Sequence, residues 1–325
     1  MERTLINKFS NYCLLTLCIF FSPNHVADEE INFGIVVHGG AGVYKDISSE
    51  RAEAYKEGIN KALSKGYEIL KSGGNSLEAV TAAVVVLEDL PQFNAGKGSV
   101  YTSSETQEMD ASLMNGKNGF GGAVASVSKV KNPILLAKAV MENTTHVMLV
   151  GQGAEDFAKE NGIEMVDPSY FYSQKNLDRV RKLKKDNKLG TVGAVALDKK
   201  GNLSSATSTG GRSNKMPGRV GDSPILGAGT WAENGLCAVS GTGHGEYFMR
   251  YLIAADVCKR MKYLKIPLLE SANKVIENLT NKGGAGGIIA IDSEGNIATP
   301  FNTIGMIRGI LTNKKPRKIL IYKDK

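Results

Sequence analysis

The first half of the chain alternates between helical and strand-like hydrophobic spacing. A short apolar strand, Ile35 to Val37, runs directly into the sequence His-Gly-Gly-Ala-Gly. Apolar residues then recur at helical spacing over 48–71 and 76–88, and Asn75 or Ser76 can cap the second of these helices. Further strands are predicted over 99–103, 108–115, 120–128 and 146–150, and further helices over 133–142 and 153–160.

The pattern changes abruptly at residue 191. The preceding segment, about 168–190, is charged, rich in Lys and without an apolar period, which predicts a flexible connection. An apolar, β-rich run begins at Thr191, and with a second strand over 203–209 it predicts a hairpin. Later strands are predicted over 236–242, 286–291 and 296–299, and helices over 246–261 and 268–279. This order predicts two sheets between helical layers.

The charge of the chain is concentrated in two segments. The 325 residues suffice for one large domain or two ordinary ones, and the net charge is +7. Residues 173–190 hold seven Lys or Arg and two Asp, and residues 313–325 hold six Lys or Arg and one Asp. These basic residues lie in the predicted connection and in the tail, not on a recognisable motif, so we expect no nucleic-acid partner.

The N-terminus is similar to an export signal. Arg3 and Lys8 precede a mostly apolar run over 12–21, and Ala27 offers a small residue for cleavage. The run is too short to span a bilayer comfortably. We expect a signal peptide over 1–27, export to the periplasm or beyond, and no membrane span in the mature protein; if the signal is not genuine, the protein is cytoplasmic.

The cysteines and histidines do not predict a metal centre. Cys13 and Cys18 lie in the signal-like segment, which leaves Cys237 and Cys258 in the mature protein. No spacing suggests a disulfide framework, so we expect two buried free thiols. The four histidines are scattered and no CxxC or HExxH is present, so a catalytic metal is not expected.

Thr191 is the candidate nucleophile. On spacing alone, an ordinary threonine at the start of a strand is the better interpretation. If the Gly190–Thr191 bond were cut, however, Thr191 would carry both a hydroxyl and a free α-amine, whose unperturbed pKa is near ~8. That amine can act as the base for the hydroxyl, without a separate histidine. No G-x-S-x-G elbow is present, so the HGG sequence at 38–40 is not interpreted as an esterase oxyanion loop.

Seven segments form a pattern in fixed order along the chain. They are HGGAG at 38–42, FNAG at 93–96, MDAS at 109–112, GTVGAVALD at 190–198, ATSTGG at 206–211, NKMPGRVGDSP at 214–224 and TGHGE at 242–246. The pattern resembles the plant-type asparaginase and isoaspartyl aminopeptidase family of N-terminal-nucleophile hydrolases, over about residues 33–310. The resemblance implies an α+β fold of the four-layer αββα sandwich type. It also implies a self-cleaving precursor with an alpha subunit at 28–190 and a beta subunit at 191–325.

The resemblance implies catalytic roles at the matching positions. Cleavage at Gly190–Thr191 would expose Thr191 as the nucleophile, with Thr209 orienting its hydroxyl. Thr242 and Gly243, at a strand end before a helix, would contact the substrate and donate hydrogen bonds to the oxyanion of the tetrahedral intermediate. The implied activity is hydrolysis of β-aspartyl peptides and L-asparagine, with release of L-aspartate.

A substrate with a free α-amine and α-carboxylate needs one cation and one anion at fixed separation. Arg219 can bind the carboxylate in a bidentate manner, and Asp222 can bind the ammonium. The resemblance also implies that Asn94 contacts the substrate or the surroundings of the nucleophile. We expect His38 to pack near the site without acting as a base, and His244 and Glu246 to position the start of a helix.

Two further implications concern ions and assembly. The loop before residue 94 would bind a structural sodium ion through backbone carbonyls at Leu87, Glu88, Leu90, Phe93, Ala95 and Lys97. Lys97 departs from the small or apolar residue expected there. No cofactor is implied for the chemistry, and the family assembles as a dimer of alpha–beta pairs.

Three alternatives remain at the level of sequence. A glycosylasparaginase-like amidase would share the Thr, Arg and Asp residues, but it would have an acid before the nucleophile, where this chain has Gly190. A self-cleaving endopeptidase would need a long insertion that is absent from this sequence. A non-cleaving protein could bind aspartate through Arg219 and Asp222, although the three threonines argue against it. The sequence does not rank asparagine against isoaspartyl peptides, because the leaving-group side of the pocket has no recognisable motif.

Overall fold

Two β-sheets of unequal size organise the described residues. The computed structural model describes residues 32–42, 44, 47–182 and 190–323. Across the larger sheet the order is β12 (Lys318–Leu320), β11 (Gly305–Thr312), β1 (Gly34–Gly42), β5 (Val192–Leu197), β6 (Leu203–Thr209), β2 (Met109–Asn115), β3 (Gly121–Val127) and β4 (Met148–Val150). Across the smaller sheet the order is β10 (Ile297–Ala298), β9 (Gly286–Asp292), β8 (Cys237–Gly243) and β7 (Thr230–Glu233).

Strands from the two sides of residue 190 are interleaved in the larger sheet. β1 lies between β5 and β11 and is antiparallel to both, so that Val36 is opposite Val195 on one side and Ile310 on the other. β2 likewise lies between β3 and β6. The part of the chain before residue 190 therefore shares backbone hydrogen bonds with the part after it.

Helices pack against both sheets. The helices are α1 (Ser49–Lys71), α2 (Ser76–Glu88), α3 (Pro133–Asn143), α4 (Gly151–Glu160), α5 (Gln174–Lys182), α6 (Gly245–Tyr251), α7 (Ile253–Leu264) and α8 (Leu268–Asn281). Asn75 caps α2 as expected, because its side chain accepts a hydrogen bond of 2.8 Å from the backbone N–H of Glu78. Within the described residues, no helix is long and apolar enough to cross a membrane.

Apolar residues on successive positions of β1 face opposite sides of the larger sheet. Ile35 packs in a cluster with residues of α1 and α2, whereas Val36 packs in a second cluster with Ile289 of the smaller sheet. A third cluster joins the smaller sheet to α7 and α8 through residues such as Val239 and Leu279. Because strand side chains alternate between faces, a strand buried on both sides carries apolar residues without interruption.

Most of the predicted elements are present, and the exceptions are local. The strand predicted over 99–103 is absent; Thr102 forms only an isolated bridge with Lys215. The single helix predicted over 246–261 is instead α6 and α7, because Leu252 between them takes a left-handed conformation with φ of 48°. The short strand β7 was not predicted.

The segment before residue 190 contains more regular structure than its composition predicts. A 3-10 helix, Pro168–Phe171, and helix α5 occupy its first part, where Leu177 and Val180 pack against Tyr101. The prediction of a flexible connection is therefore wrong for 168–182. Residues 183–189 and the predicted signal peptide over 1–27 lie outside the described residues.

The two cysteines of the smaller-sheet half are joined. A disulfide bond links Cys237 at the start of β8 to Cys258 on α7, with Cα atoms 5.6 Å apart. The prediction of two free thiols is wrong. A separation of 21 residues carries no recognisable disulfide spacing, and only the packing of α7 on β8 brings the two side chains together.

Candidate active site

The start of β5 lies beside the end of β6, two antiparallel strands in the middle of the larger sheet. The register pairs Val192 with Ser208, which places Thr191 beside Thr209. The Thr191 hydroxyl donates a hydrogen bond of 3.1 Å to Thr209 Oγ1, and both residues are buried. Two residues that the sequence assigns to the nucleophile and its partner are therefore in direct contact.

The carbonyl of Gly190 is already held by two donors. Its oxygen accepts hydrogen bonds from Asn94 Nδ2 at 2.6 Å and from the Thr209 hydroxyl at 3.2 Å. Asn94 is itself fixed, because its Oδ1 accepts from the backbone N–H of Val100 and its Nδ2 also donates to the Gly211 carbonyl. The predicted cleavage bond thus has a polarised carbonyl next to a hydroxyl.

The end of β1 packs directly against the same bond. Gly40 has φ of 108°, and a Cβ atom there would lie 3.0 Å from the Gly190 Cα and 3.2 Å from the Thr191 nitrogen. A glycine is required by both the conformation and the close approach. His38, two residues earlier, is fully buried, and its Nε2 lies 3.0 Å from Ser240 Oγ. Burial lowers the pKa of His38 to about 3, so its imidazole is neutral.

A small pocket beside Thr191 collects most of the predicted site residues. Its lining comprises Gly190, Thr191, Thr209, Gly211, Arg212, Arg219, Gly221, Asp222, Ser223 and Gly243. The nucleophile from one motif and the cation and anion from another therefore face one space.

Two buried polar atoms in this pocket are left for a ligand. Among the described residues, neither Asp222 Oδ2 nor Ser223 Oγ has a hydrogen-bond partner. Burial raises the pKa of Asp222 to about 6, whereas its own backbone N–H and the charge of Arg219 lower it. A bound ammonium group would supply the missing donor to Asp222. Ser223 was not singled out from the sequence.

Arg219 has a partner that the sequence did not predict. Its Nη2 and Nε lie 2.9 and 3.2 Å from Oε1 of Glu246, in the first turn of α6. Arg212 Nη1 lies 3.4 Å from the other oxygen of Glu246. Glu246 therefore does more than begin a helix, because it holds the guanidinium at the mouth of the pocket.

The two predicted oxyanion donors occupy different positions. Gly243 lines the pocket, whereas Thr242 lies fully buried behind it and is not part of the lining. The Thr242 Oγ1 accepts a hydrogen bond of 3.1 Å from the backbone N–H of Ala41. Its hydroxyl proton remains available to another acceptor, because that bond uses only a lone pair.

Gly245 lies against two charged groups of the pocket. A Cβ atom at this position would lie 2.7 Å from Asp222 Oδ1 and 2.9 Å from Arg219 Nη2. Any side chain there would press on both charged groups at once. Gly245 belongs to the TGHGE motif, but the sequence gives no reason for a glycine there. The contact depends on how α6 packs against the turn that carries Arg219 and Asp222.

Backbone carbonyls of the predicted sodium loop lie close to two of its glycines. A Cβ on Gly98 would lie 1.8 Å from the Phe93 carbonyl oxygen, and a Cβ on Gly96 would lie 2.4 Å from that of Glu88. The carbonyls of Leu87, Leu90 and Ala95 each accept one backbone hydrogen bond and keep a second lone pair. These oxygens suit a hard cation. The described residues contain no cluster of three or more His, Cys, Asp or Glu that could hold a metal ion.

Comparison with known proteins agrees with this geometry. A profile of the family described as Asparaginase matches residues 31–321. The chain belongs to this asparaginase family. Isoaspartyl peptidase from Escherichia coli (strain K12) is 46% identical over 292 residues, which cover 84% of this chain and 91% of that protein. Isoaspartyl peptidase/L-asparaginase from Bos taurus is 45% identical over 282 residues, with 84% and 91% covered. The relative of the same name from Mus musculus is 42% identical over 304 residues, with 90% and 92% covered.

Proposed function

We propose that the protein is a self-processing amidohydrolase that hydrolyses β-aspartyl (isoaspartyl) peptides and L-asparagine and releases L-aspartate. The observation that carries the proposal is the pocket in which Thr191, Arg219 and Asp222 meet. Membership of the asparaginase family and the names of the relatives support the same substrates.

Self-cleavage comes first in the proposed sequence. The Thr191 hydroxyl, oriented by its hydrogen bond to Thr209, attacks the Gly190 carbonyl carbon, and its proton is transferred to the Thr191 nitrogen as the C–N bond breaks. The new C–O bond replaces the C–N bond, which leaves an ester and a free Thr191 amine. Asn94 and Thr209 stabilise the negative oxygen, because both already donate to it at 2.6 and 3.2 Å. Water then hydrolyses the ester and frees Thr191.

The amidase reaction uses the amine that self-cleavage produces. The Thr191 amine takes the hydroxyl proton, and the oxygen attacks the β-carbonyl of the substrate. Ammonia or a peptide amine leaves with that proton, and water releases aspartate from the resulting ester. Thr242 and Gly243 donate to the oxyanion of the intermediate. Arg219 binds the α-carboxylate and Asp222 the α-ammonium, which fixes the β-carbonyl next to Thr191.

The proposal extends to fold and ions. The three apolar clusters support a four-layer αββα sandwich: helices, larger sheet, smaller sheet, helices. No cofactor takes part in the chemistry. A structural sodium ion would be held by the carbonyls of residues 87–97, where it would fix the loop that carries Asn94.

Location and assembly are also proposed. The disulfide supports export, because such bonds persist in oxidising compartments. The mature protein is proposed to be a dimer of alpha–beta pairs. Large apolar side chains exposed along α6, α7 and α8 support a second copy, namely Tyr251, Leu252, Tyr263, Leu264 and Leu269. Light scattering should give twice the mass of one alpha–beta pair.

Intact mass spectrometry beside a kinetic assay tests the function. Wild-type protein should yield two fragments, one of which begins at Thr191, and should release aspartate from L-asparagine and from β-aspartyl dipeptides. Thr191→Ala should stay uncut and inactive. A Thr191→Ala protein with normal activity would exclude this nucleophile. An uncut wild type that binds aspartate without turning over would favour a binding protein instead.

A further inference from the structure

A lysine lies buried behind the substrate pocket. Lys215 is 5% exposed, and it belongs to the segment 211–223, called here the binding loop, which carries Arg219 and Asp222. Its ammonium donates a hydrogen bond of 2.8 Å to the carbonyl of Glu108 at the start of β2. Lysines are seldom buried unless their charge is compensated. The mechanism proposed above gives Lys215 no role.

The compensating charge is Asp110 on β2. Asp110 is fully buried and stands opposite Thr209 in the β2–β6 ladder. Its Oδ1 accepts a hydrogen bond of 2.9 Å from the backbone N–H of Ser126, which has a left-handed φ of 54°. Within the described part of the chain, its Oδ2 has no hydrogen-bond partner. Burial raises the pKa of Asp110, and the charges of Lys215 and Arg219 lower it. The two cations therefore favour the ionised form of this carboxylate.

Lys215 and Arg219 converge on the backbone of one glycine. A Cβ on Gly211 would lie 3.1 Å from Lys215 Nζ and 3.4 Å from Arg219 Nη1. Two cations on one loop repel each other, and the charge of the buried Asp110 carboxylate, which interacts electrostatically with both, offsets that repulsion. A Cβ on Gly221 would lie 2.7 Å from Arg219 Nη1, so the guanidinium packs directly against the backbone of the loop at Gly221. Its Nε and Nη2 are bound by Glu246.

Backbone bonds tie the same loop to the segment before β2. Ser103 N–H donates to the Lys215 carbonyl at 2.8 Å, and Gly218 N–H donates to Glu108 Oε2 at 2.8 Å. The loop is thus anchored by its lysine and by the turn next to Arg219. Neither anchor reaches the Gly190–Thr191 bond.

We propose that Lys215 and Asp110 are positioning residues for substrate binding, which hold the Arg219 guanidinium and the binding loop in the geometry that accepts an α-amino-α-carboxylate. Lys215 balances the charge of Asp110, so that Arg219 remains directed toward the pocket and its ligand. The inference rests on the proposed function for its assay, but not for its geometry.

The test uses Asp110→Asn, Lys215→Met and the double variant, all as self-cleaved enzyme. Each single variant should raise KM for L-asparagine roughly tenfold or more, with a smaller change in kcat. This is the loss expected when a hydrogen bond to a charged group is misaligned. Self-cleavage should persist. Asp292→Asn, which alters a buried carboxylate in the β9–β10 turn, should leave KM unchanged. Wild-type KM in both single variants would overturn the inference.

A pH profile separates positioning from general loss of packing. Without Lys215, the remaining cation that acts on Asp110 among the described residues is Arg219, with Asp222 as a nearby anion, so Asp110 should gain a proton more readily as the pH falls. KM of Lys215→Met should therefore rise more steeply than wild-type KM as the pH falls, and the double variant should lose this extra dependence. An extra slope that persists in the double variant would contradict the assignment to Asp110.

Folding and function have separate controls. If the single variants do not fold, the double variant provides the test, because replacing both buried charges by neutral groups is often tolerated. A folded double variant with wild-type KM overturns the inference. If wild type turns over neither substrate, the proposed function fails. The inference is then judged by calorimetric affinity for L-aspartate, which the variants should lower and Asp292→Asn should not.

Discussion

Thr209 uses all the hydrogen-bonding capacity of one hydroxyl in the uncut chain. It accepts from the Thr191 hydroxyl at 3.1 Å and from Gly211 N–H at 2.9 Å, and it donates to the Gly190 carbonyl at 3.2 Å. A hydroxyl has one proton and two lone pairs, so no capacity remains. Removal of the Gly190 carbonyl by cleavage would free that proton for the nucleophile. One residue can therefore serve both reactions in turn.

Asn94→Ala should slow self-cleavage more than it harms the fold. The side chain donates the shorter of the two bonds to the Gly190 carbonyl. Loss of such an oxyanion donor typically costs ~10²–10³ in rate. A time course of fragment appearance on denaturing gels measures it, with the exposed turn residue Asn118 changed to Ala as the control. Equal cleavage rates for both variants would remove Asn94 from the processing step.

Gly245→Ala should damage substrate binding and leave self-cleavage intact. The new Cβ would lie within 2.9 Å of Arg219 Nη2 and would press on Asp222 as well. A misfit of one methyl group in a specific pocket costs roughly 10- to 200-fold. The readout is kcat/KM for L-asparagine. Gly153→Ala on α4, where a Cβ meets nothing within 4 Å, is the matched control. Normal kcat/KM in Gly245→Ala would show that the substrate does not use this side of the pocket.

The sequence motifs predicted the individual site residues better than the contacts between them. Thr191, Arg219 and Asp222 were predicted because they match the family pattern and their chemistry fits one substrate, and the structure brings them to one pocket. The pairing of Arg219 with Glu246 was not predicted. The two residues lie 27 positions apart, and only the placement of α6 against the binding loop joins them.

At the scale of elements, the disulfide fastens α7 to β8, the strand that ends in Gly243. Replacing Cys237 and Cys258 together by Ala should lower the free energy of unfolding by about 3 kcal/mol, as expected for a loop of this length. Urea unfolding in the single-chain Thr191→Ala background measures it. Under reducing conditions the free energies of unfolding of the cysteine-containing protein and of the double Ala variant should differ only by the contribution of the lost side-chain packing. Identical stability without reductant would mean that the bond does not form in solution.

Element prediction succeeded where one face of a segment is decisively apolar. Helices α1 and α2 were predicted because their buried residues recur at helical spacing and Asn75 supplies a cap. Helix α5 was missed because seven basic residues in 173–190 dominate its composition, while its buried stripe consists of little more than Leu177 and Val180. The left-handed turn at Leu252 has no sequence signal, since leucine rarely adopts it.

At the scale of the whole molecule, two groups should shape the acid limb of activity. The Thr191 amine, with an unperturbed pKa near ~8, must be neutral to act as a base. Asp222, whose pKa burial raises to about 6, must be ionised to bind the ammonium. As the pH falls, each protonation removes active enzyme. A plot of log kcat/KM against pH should therefore steepen below about pH 6, from a slope of one to a slope of two. A slope that stays at one down to pH 5 would remove Asp222 from substrate binding.

Because strands from the two fragments are interleaved, the cut protein is not expected to refold after it unfolds. β1 belongs to the first fragment, yet both its neighbours, β5 and β11, belong to the second. In the continuous chain these pairings close within one polypeptide. Once the bond is cut, the same pairings would require two separate unfolded chains to find each other, in competition with aggregation. Heat inactivation of the mature enzyme will then be irreversible and set by the rate of unfolding, whereas the uncut Thr191→Ala chain can recover on cooling.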